Sequence, residues 1–264
     1  MIKESDLLSK ELRQEAELRL QKMVSLLKRD SIDAILIASN ANIYYASGRF
    51  FRGYVYVSAC GKRIFFPMRP NGFRQTGDVI YIRKPEQIPS ELNRLGLPLP
   101  ASLGLERDSL SWSDCERLAK ALPASEIRNA SPLLREARMV KTPYEISLMK
   151  ADGLHQAAAY HKITSLYKKD MTDVEFQVEI ESVLRLEGNL GFSRVAGNLM
   201  EINLGSVISG ANANNPSPYD FAMGGEGEDP SLPGGANGSL MHAGETVMVD
   251  MNCLLYTSPS PRDS

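Results

Sequence analysis

Asp33-Ala34-Ile35-Leu36-Ile37-Ala38 is a short apolar run of strand length, and what flanks it sets the fold class. Upstream, Ser9 to Asp30 carries Leu12, Ala16, Leu20, Met23, Val24 and Leu27 at helical spacing between charged residues. One face of that segment is apolar and the other solvated, the pattern of an amphipathic helix. Downstream, Tyr54-Val55-Tyr56-Val57 and Ile64-Phe65-Phe66 flank Cys60-Gly61-Lys62 and read as a β-hairpin. Asp78-Val79-Ile80-Tyr81-Ile82 is a further strand candidate, and Ser113 to Leu122 a further helix closed by Pro123. The segment mixes helix and strand, so residues 1–131 are expected to form one α/β domain.

The character of the chain changes after Pro132. In Thr142-Pro143-Tyr144-Glu145 threonine stands at an N-cap, proline at the first helical position and glutamate at the third, the pattern of a capping box. Ile146, Met149, Leu154, Ala157, Ala158 and Leu166 then extend a helix to about Lys169, and Thr172-Asp173-Val174-Glu175 opens a second one ending near Gly188. From Val195 to Pro261 there is no lysine or arginine, and the stretch is rich in Gly, Asn and Pro, above all Gly210 to Pro218. Such composition favours long loops, which often carry function. Thr246-Val247-Met248-Val249 is continuously apolar and ends in Asp250. A carboxylate that close to buried strand residues requires a partner, unless it turns to water.

Composition narrows the function classes. The 264 residues, 43% of them hydrophobic, suffice for buried cores in about two domains. A net charge of −2 excludes general attraction to polyanions, so neither nucleic acid nor an acidic membrane surface is an expected partner. The cysteines Cys60, Cys115 and Cys253 are scattered without a C-x-x-C pair, against a disulfide framework or a structural zinc site. No apolar run approaches the ~20 residues that span a bilayer, and the start is charged, so a soluble cytoplasmic protein is expected. His155 and His161, on different sides of one helix, cannot chelate an ion together, and His242 sits in a turn. No nucleotide-binding glycine motif, GxSxG or HExxH is present.

Taken in order, Asp33 to Ile37, Asn42-Ile43-Tyr44-Tyr45-Ala46-Ser47-Gly48, Arg138 to Ile146, Gly210-Ala211-Asn212-Ala213 and Gly244 to Asp250 resemble the creatinase/prolidase branch of the M24 metallopeptidases. The resemblance covers about residues 15 to 252. It implies an α/β N-terminal creatinase-like domain, residues 1–131, followed by the first part of an α+β pita-bread domain, residues 132–252. It implies an Xaa-Pro dipeptidase or aminopeptidase acting on proline-containing di- or oligopeptides, with a homodimer through the N-terminal domain. It further implies two divalent metal ions (Mn, Co or Zn) on two aspartates, a histidine and two glutamates, generating a bridging hydroxide that attacks the bond before proline.

Carried over residue by residue, Asp250 matches the first aspartate of that ligand set, while the family's spacing puts the second at Pro261. The pattern is lost at Cys253, and residues 253–264 read as a non-native or disordered tail of low complexity. On that reading the chain is truncated, inactive and a weak metal binder, with Val247 to Val249 a poorly covered edge in an aggregation-prone second domain. Where family peptidases place a histidine after the proline of N-A-x-x-P-H, this chain has Ser217, which donates a hydrogen bond but carries no charge. Ser217, with Tyr219 and Asp220, is expected to line the substrate pocket. Two alternatives follow: a non-catalytic pita-bread binding protein, and a creatinase-like hydrolase of a small C–N substrate.

Overall fold

Strand β1 (Ala34–Ile37) is buried along its whole length, and its side chains divide between two cores, as a strand's period of two requires. Its surroundings come from a computed structural model that describes residues 10–69, 76–191, 204–218 and 224–251. The chain divides into two compact units, one running to Tyr144 and the other beginning at Glu145.

In the first unit β1 is the middle strand of a five-stranded sheet of order β3-β2-β1-β4-β5. The hairpin β2 (Gly53–Ser58) and β3 (Arg63–Pro67) adds antiparallel to one side of β1. Strands β4 (Ser102–Leu105) and β5 (Glu126–Asn129) add in parallel to the other. Ile35, Ile37, Val55 and Val57 pack with Leu20, Met23 and Leu27 of helix α1 (Lys10–Arg29) on one face. Helices α2 (Asn40–Ser47) and α5 (Ser131–Met139) complete that layer through Ile43, Tyr45, Leu133 and Leu134. On the opposite face Ala34, Leu36, Phe66, Leu103 and Leu105 meet Ile88 and Leu92 of α3 (Ile88–Arg94) and Leu118 and Ala121 of α4 (Trp112–Ala121). The result is a helix–sheet–helix sandwich.

Two residues, Asp33 and Gly104, show why this arrangement is specified. Asp33 stands just before β1 and accepts hydrogen bonds from the backbone N–H groups of Ala101 and Ser102, both at 2.9 Å, which pins the start of β4 beside it. Gly104 lies so close to its neighbours that a Cβ there would come within 2.7 Å of Ile35 Cγ2 and 2.8 Å of Ala130 Cβ, so the sheet and α5 meet only over a glycine.

The hairpin and the two helices expected from sequence, α1 and α4, form where the sequence places them. The strand expected at Asp78–Ile82 is reduced to a single parallel bridge, Val79 to Phe65, although Ile80 N–H still donates to the Phe65 carbonyl and Ile82 N–H to that of Pro67. Elements with no apolar run were not legible: β4 is Ser-Leu-Gly-Leu and β5 is Glu-Ile-Arg-Asn. Among the described residues no helix is long and apolar enough to cross a membrane.

The second unit contains α6 (Pro143–Leu166, from Glu145 onward), α7 (Asp173–Leu186) and an antiparallel pair, β6 (Gly205–Ser209) with β7 (Val247–Met251). The capping box of α7 is complete: Glu175 N–H donates to Thr172 Oγ1 at 3.1 Å and Thr172 N–H to the Glu175 carboxylate at 2.9 Å. Helix α6 starts at Pro143 as expected, with the Thr142 hydroxyl donating to the Glu15 carboxylate at 2.9 Å. Ala159, Phe176, Ile180, Leu184, Val207 and Met251 form the core, with Val247 and Val249 packed against it. Side chains of the helices also hold the strands directly. Met251 N–H donates to Tyr160 Oη at 3.1 Å, Gln156 Nε2 donates to the Met251 carbonyl at 2.9 Å, and Gln177 Oε1 accepts from Val207 N–H at 3.1 Å.

Candidate functional site

Because side chains alternate along a strand, β7 directs Val247 and Val249 toward the helices and leaves Met248 and Asp250 on the other face. The sequence presents an unbroken apolar run ending in a carboxylate; the structure shows a half-buried strand whose Asp250 is exposed. Solvation removes the need for a buried partner. Asp250 pairs in register with Ser206 of β6, and Gly235 (φ 86°) lies against the Ser206 side chain. Strand β6 then runs into a 3₁₀ turn, Gly210–Asn214, where the sequence suggests only loop.

Two buried polar residues, each inside a quoted motif but neither given a role by sequence, organise the Gly- and Asn-rich loops on this side. Asn212 is 3% exposed. Its Nδ2 donates to the Gly235 carbonyl at 2.9 Å and its Oδ1 accepts from Glu226 N–H at 2.8 Å, joining the 3₁₀ turn to the loop that follows. Asp173, at the start of α7, is fully buried. Its carboxylate accepts from Gly238 N–H at 2.9 Å, Asn237 N–H at 3.3 Å and Val174 N–H at 2.9 Å, while its own N–H donates to the Ser239 carbonyl at 2.9 Å. The signals that would have found them are weak ones: an asparagine amid turn formers and an aspartate in a helical first turn.

Ser217 is half-buried on the same loop system, its hydroxyl donating to the Pro233 carbonyl at 3.4 Å. Tyr219 and Asp220 lie outside the described residues, as does the tail from Asn252 onward. Asp250 and Ser217 are therefore placed on one unit, on β7 and on the loop after the 3₁₀ turn. Among the described residues no three His, Cys, Asp or Glu side chains gather closely enough to hold a metal ion. The local acids serve the loops or face water: Asp229 accepts from the N–H and hydroxyl of Ser231, bonds that hold its carboxyl below the usual range, and Glu226, Glu228 and Glu245 are exposed. A single exposed carboxylate does not fit a dinuclear centre. The histidines are also dispersed, His155 Nδ1 standing 3.9 Å from Glu187 while His161 and His242 are exposed.

The described cysteines sit in the first unit and differ in their surroundings. Cys60 is exposed in the β2–β3 turn with Ser58 Oγ 2.9 Å from its sulfur, and that contact lowers its pKa. Desolvation raises that of Cys115. The thiolate is the nucleophile, so a lower pKa leaves more of it at neutral pH. Iodoacetamide is expected to modify Cys60 ahead of Cys115, which time-resolved peptide mass mapping will show; equal rates would contradict the Ser58 effect.

Comparison with known proteins gives this arrangement a context. Residues 19–140 match the family model of the creatinase/prolidase N-terminal domain. The Xaa-Pro dipeptidases of Pyrococcus horikoshii and Pyrococcus furiosus are 25% and 24% identical to the chain over 174 and 176 residues. Each alignment takes in 64% of this chain but only 48% and 49% of the relative, so the chain spans about half the length of these curated relatives. The solved Xaa-Pro dipeptidase from Bacillus anthracis superposes with a TM-score of 0.67 at 19% identity, over 90% of this chain and 61% of its own. The prolidase from Pyrococcus horikoshii OT3 gives 0.64 at 19%, over 89% and 60%. At such identities the likeness establishes the fold.

Proposed function

We propose that the whole protein is an Xaa-Pro peptidase of the prolidase branch of the M24 metallopeptidases, since residues 19–140 match the creatinase/prolidase N-terminal domain and the chain is similar to Xaa-Pro dipeptidases. The observation that carries this reading is the alignment with two Xaa-Pro dipeptidases over 64% of the chain, more than the first unit holds. The reaction proposed is hydrolysis of the bond before proline in a di- or oligopeptide. The part of residues 132–252 that lies in the second unit, from Glu145 onward, is proposed as the first portion of the pita-bread domain, since α5 packs into the core of the first unit. Two divalent ions, Mn, Co or Zn, are proposed for the whole protein, with Asp250 as one ligand. The described residues do not complete such a site.

What this chain's own residues contribute is positional. Ser217, on a loop system held by Asn212 and Asp173, would exchange its long bond to the Pro233 carbonyl for a neutral hydrogen bond to a substrate carbonyl or carboxylate. The deciding assay incubates the whole protein with Xaa-Pro dipeptides, proline-free dipeptides and small guanidino compounds, each with added Mn, Co or Zn and after chelation. Metal-dependent cleavage confined to the proline substrates supports the proposal. Turnover of guanidino compounds alone would move the protein to creatinase-like C–N hydrolysis. Ser217→Ala should lower kcat/KM by about tenfold, the value of one hydrogen bond to substrate; an unchanged kcat/KM removes Ser217 from the pocket.

A second reading is favoured by Ser217 itself, which stands where the family histidine would carry charge. On that reading the protein is a pita-bread binding module without catalysis. It predicts proline-peptide binding by calorimetry with no product in the same tube.

A further inference from the structure

Glu106 follows β4 and is 1% exposed, at the carboxyl ends of the parallel strands β1 and β4. Its Oε2 accepts from the N–H groups of Ala38 and Ser39, at 2.5 and 2.8 Å. Its Oε1 accepts from the Ser39 hydroxyl at 2.5 Å and from Asn42 Nδ2 at 2.6 Å. Asn42 Oδ1 in turn accepts from Arg138 Nη1 at 2.9 Å, so a guanidinium backs the carboxylate through one amide. Asn42 and Arg138 are each 9% exposed.

Four features make this more than a buried glutamate. Consecutive backbone N–H groups form a concavity suited to an anion. The carboxyl ends of parallel strands are where open α/β sheets take their ligands. Ser39, at the N-cap of α2, makes no side-chain bond to its own helix and turns its hydroxyl to Glu106 instead. The donors come from one segment, 38–42, whereas the carboxylate arrives from a strand more than sixty residues away, as a ligand meets a site.

We propose that residues 38–42, backed by Arg138, are a complete carboxylate-binding site whose resident ligand is the side chain of Glu106. A free monocarboxylate of formate or acetate size occupies the same donors once that side chain is removed. In the native chain the Glu106 carboxylate fills these donors. The inference does not depend on the peptidase reading, because both its ligand and its readout lie within the first unit.

The test compares the full chain with its Glu106→Ala and Glu106→Gln variants by thermal unfolding, in sodium formate against sodium chloride at matched ionic strength. Glu106→Ala should lower Tm by roughly 10 °C, the effect of leaving several donors of a buried carboxylate without their acceptor. Formate should raise that Tm in proportion to the logarithm of its concentration, as a ligand binding only the folded state does. Formate should leave wild type and Glu106→Gln where chloride leaves them, since in both the space is filled; Glu106→Gln should also melt below wild type, because its amide N–H₂ faces donors. If Glu106→Ala does not fold in chloride, its refolding yield in formate becomes the readout. Formate and chloride acting alike on Glu106→Ala, in both Tm and yield, would overturn the proposal. So would a Glu106→Gln variant as stable as wild type, since the donors would then read shape and not charge.

Discussion

Replacing Arg19 with alanine is expected to destabilise the first unit by about 3–5 kcal/mol, the cost of leaving one member of a buried ion pair without the other. Arg19 and Glu15 are 1% and 2% exposed, one helical turn apart on α1, with Nε 2.7 Å from Oε1. The guanidinium also lies 4.8 Å from the centre of the Tyr45 ring and donates to the Tyr45 carbonyl at 3.4 Å. Glu15 accepts in addition from the Thr142 hydroxyl. The arginine thus holds α1 to α2 while the glutamate holds α1 to the segment before α6. Chemical denaturation of Arg19→Ala, Glu15→Ala and the double variant should show strong non-additivity, the double costing far less than the sum of the singles. Additive losses would mean that the two charges act separately. A Glu15→Leu/Arg19→Met pair is expected to recover most of the stability, because a packed apolar pair needs no desolvation of charge.

Asp173→Ala should have the second largest effect, about 2–4 kcal/mol, and it should be local to the second unit. The substitution leaves the N–H groups of Asn237 and Gly238 without the buried carboxylate that accepts from them. It also removes a carboxylate from the first turn of α7, where the helix dipole favours it. Hydrogen exchange on the whole chain should therefore show faster exchange at 237–239 and at the start of α7, with the strands of the first unit unchanged. Asp173→Asn keeps an acceptor oxygen and should lose less. Equal exchange in Asp173→Ala and wild type at residues 237–239 would show that the loop holds its place by other means.

These two residues mark the limit of what the sequence makes legible. Apolar patterning located β1, the β2–β3 hairpin, α1 and α4, because each of these elements buries apolar residues of its own; α6 was found although Ile146, Met149 and Leu154 of its apolar pattern are exposed. The capping box found the start of α7, since its partners are three residues apart. Buried polar residues give no such signal: Asn42 and Arg138 are 96 positions apart, and Asn42 and Glu106 are 64 apart. Only the resemblance flagged Asn42-Ile43-Tyr44-Tyr45 and Arg138 to Ile146 together, and the structure shows the contact that links them. The Tyr45 hydroxyl donates to the Ala137 carbonyl at 2.8 Å beside the Asn42–Arg138 bond. Asp250 shows the reverse case. Four apolar letters in a row concealed an alternation that only pairing with β6 reveals.

The strand order also dictates a sequence of events during synthesis. Because β1 lies in the middle of the sheet, it can pair with the hairpin β2–β3 as soon as that hairpin emerges from the ribosome, but its other edge must wait for β4. At the usual pace of about 5–20 residues per second, the chain between β3 and β4 takes a few seconds to arrive. For that interval the nascent protein presents an unpaired edge beside one of its most apolar strands, the kind of surface on which chains join wrongly. The natural client interval for a chaperone on this protein is thus set by the position of β4, and circular permutants that bring β4 ahead of β1 should shorten it.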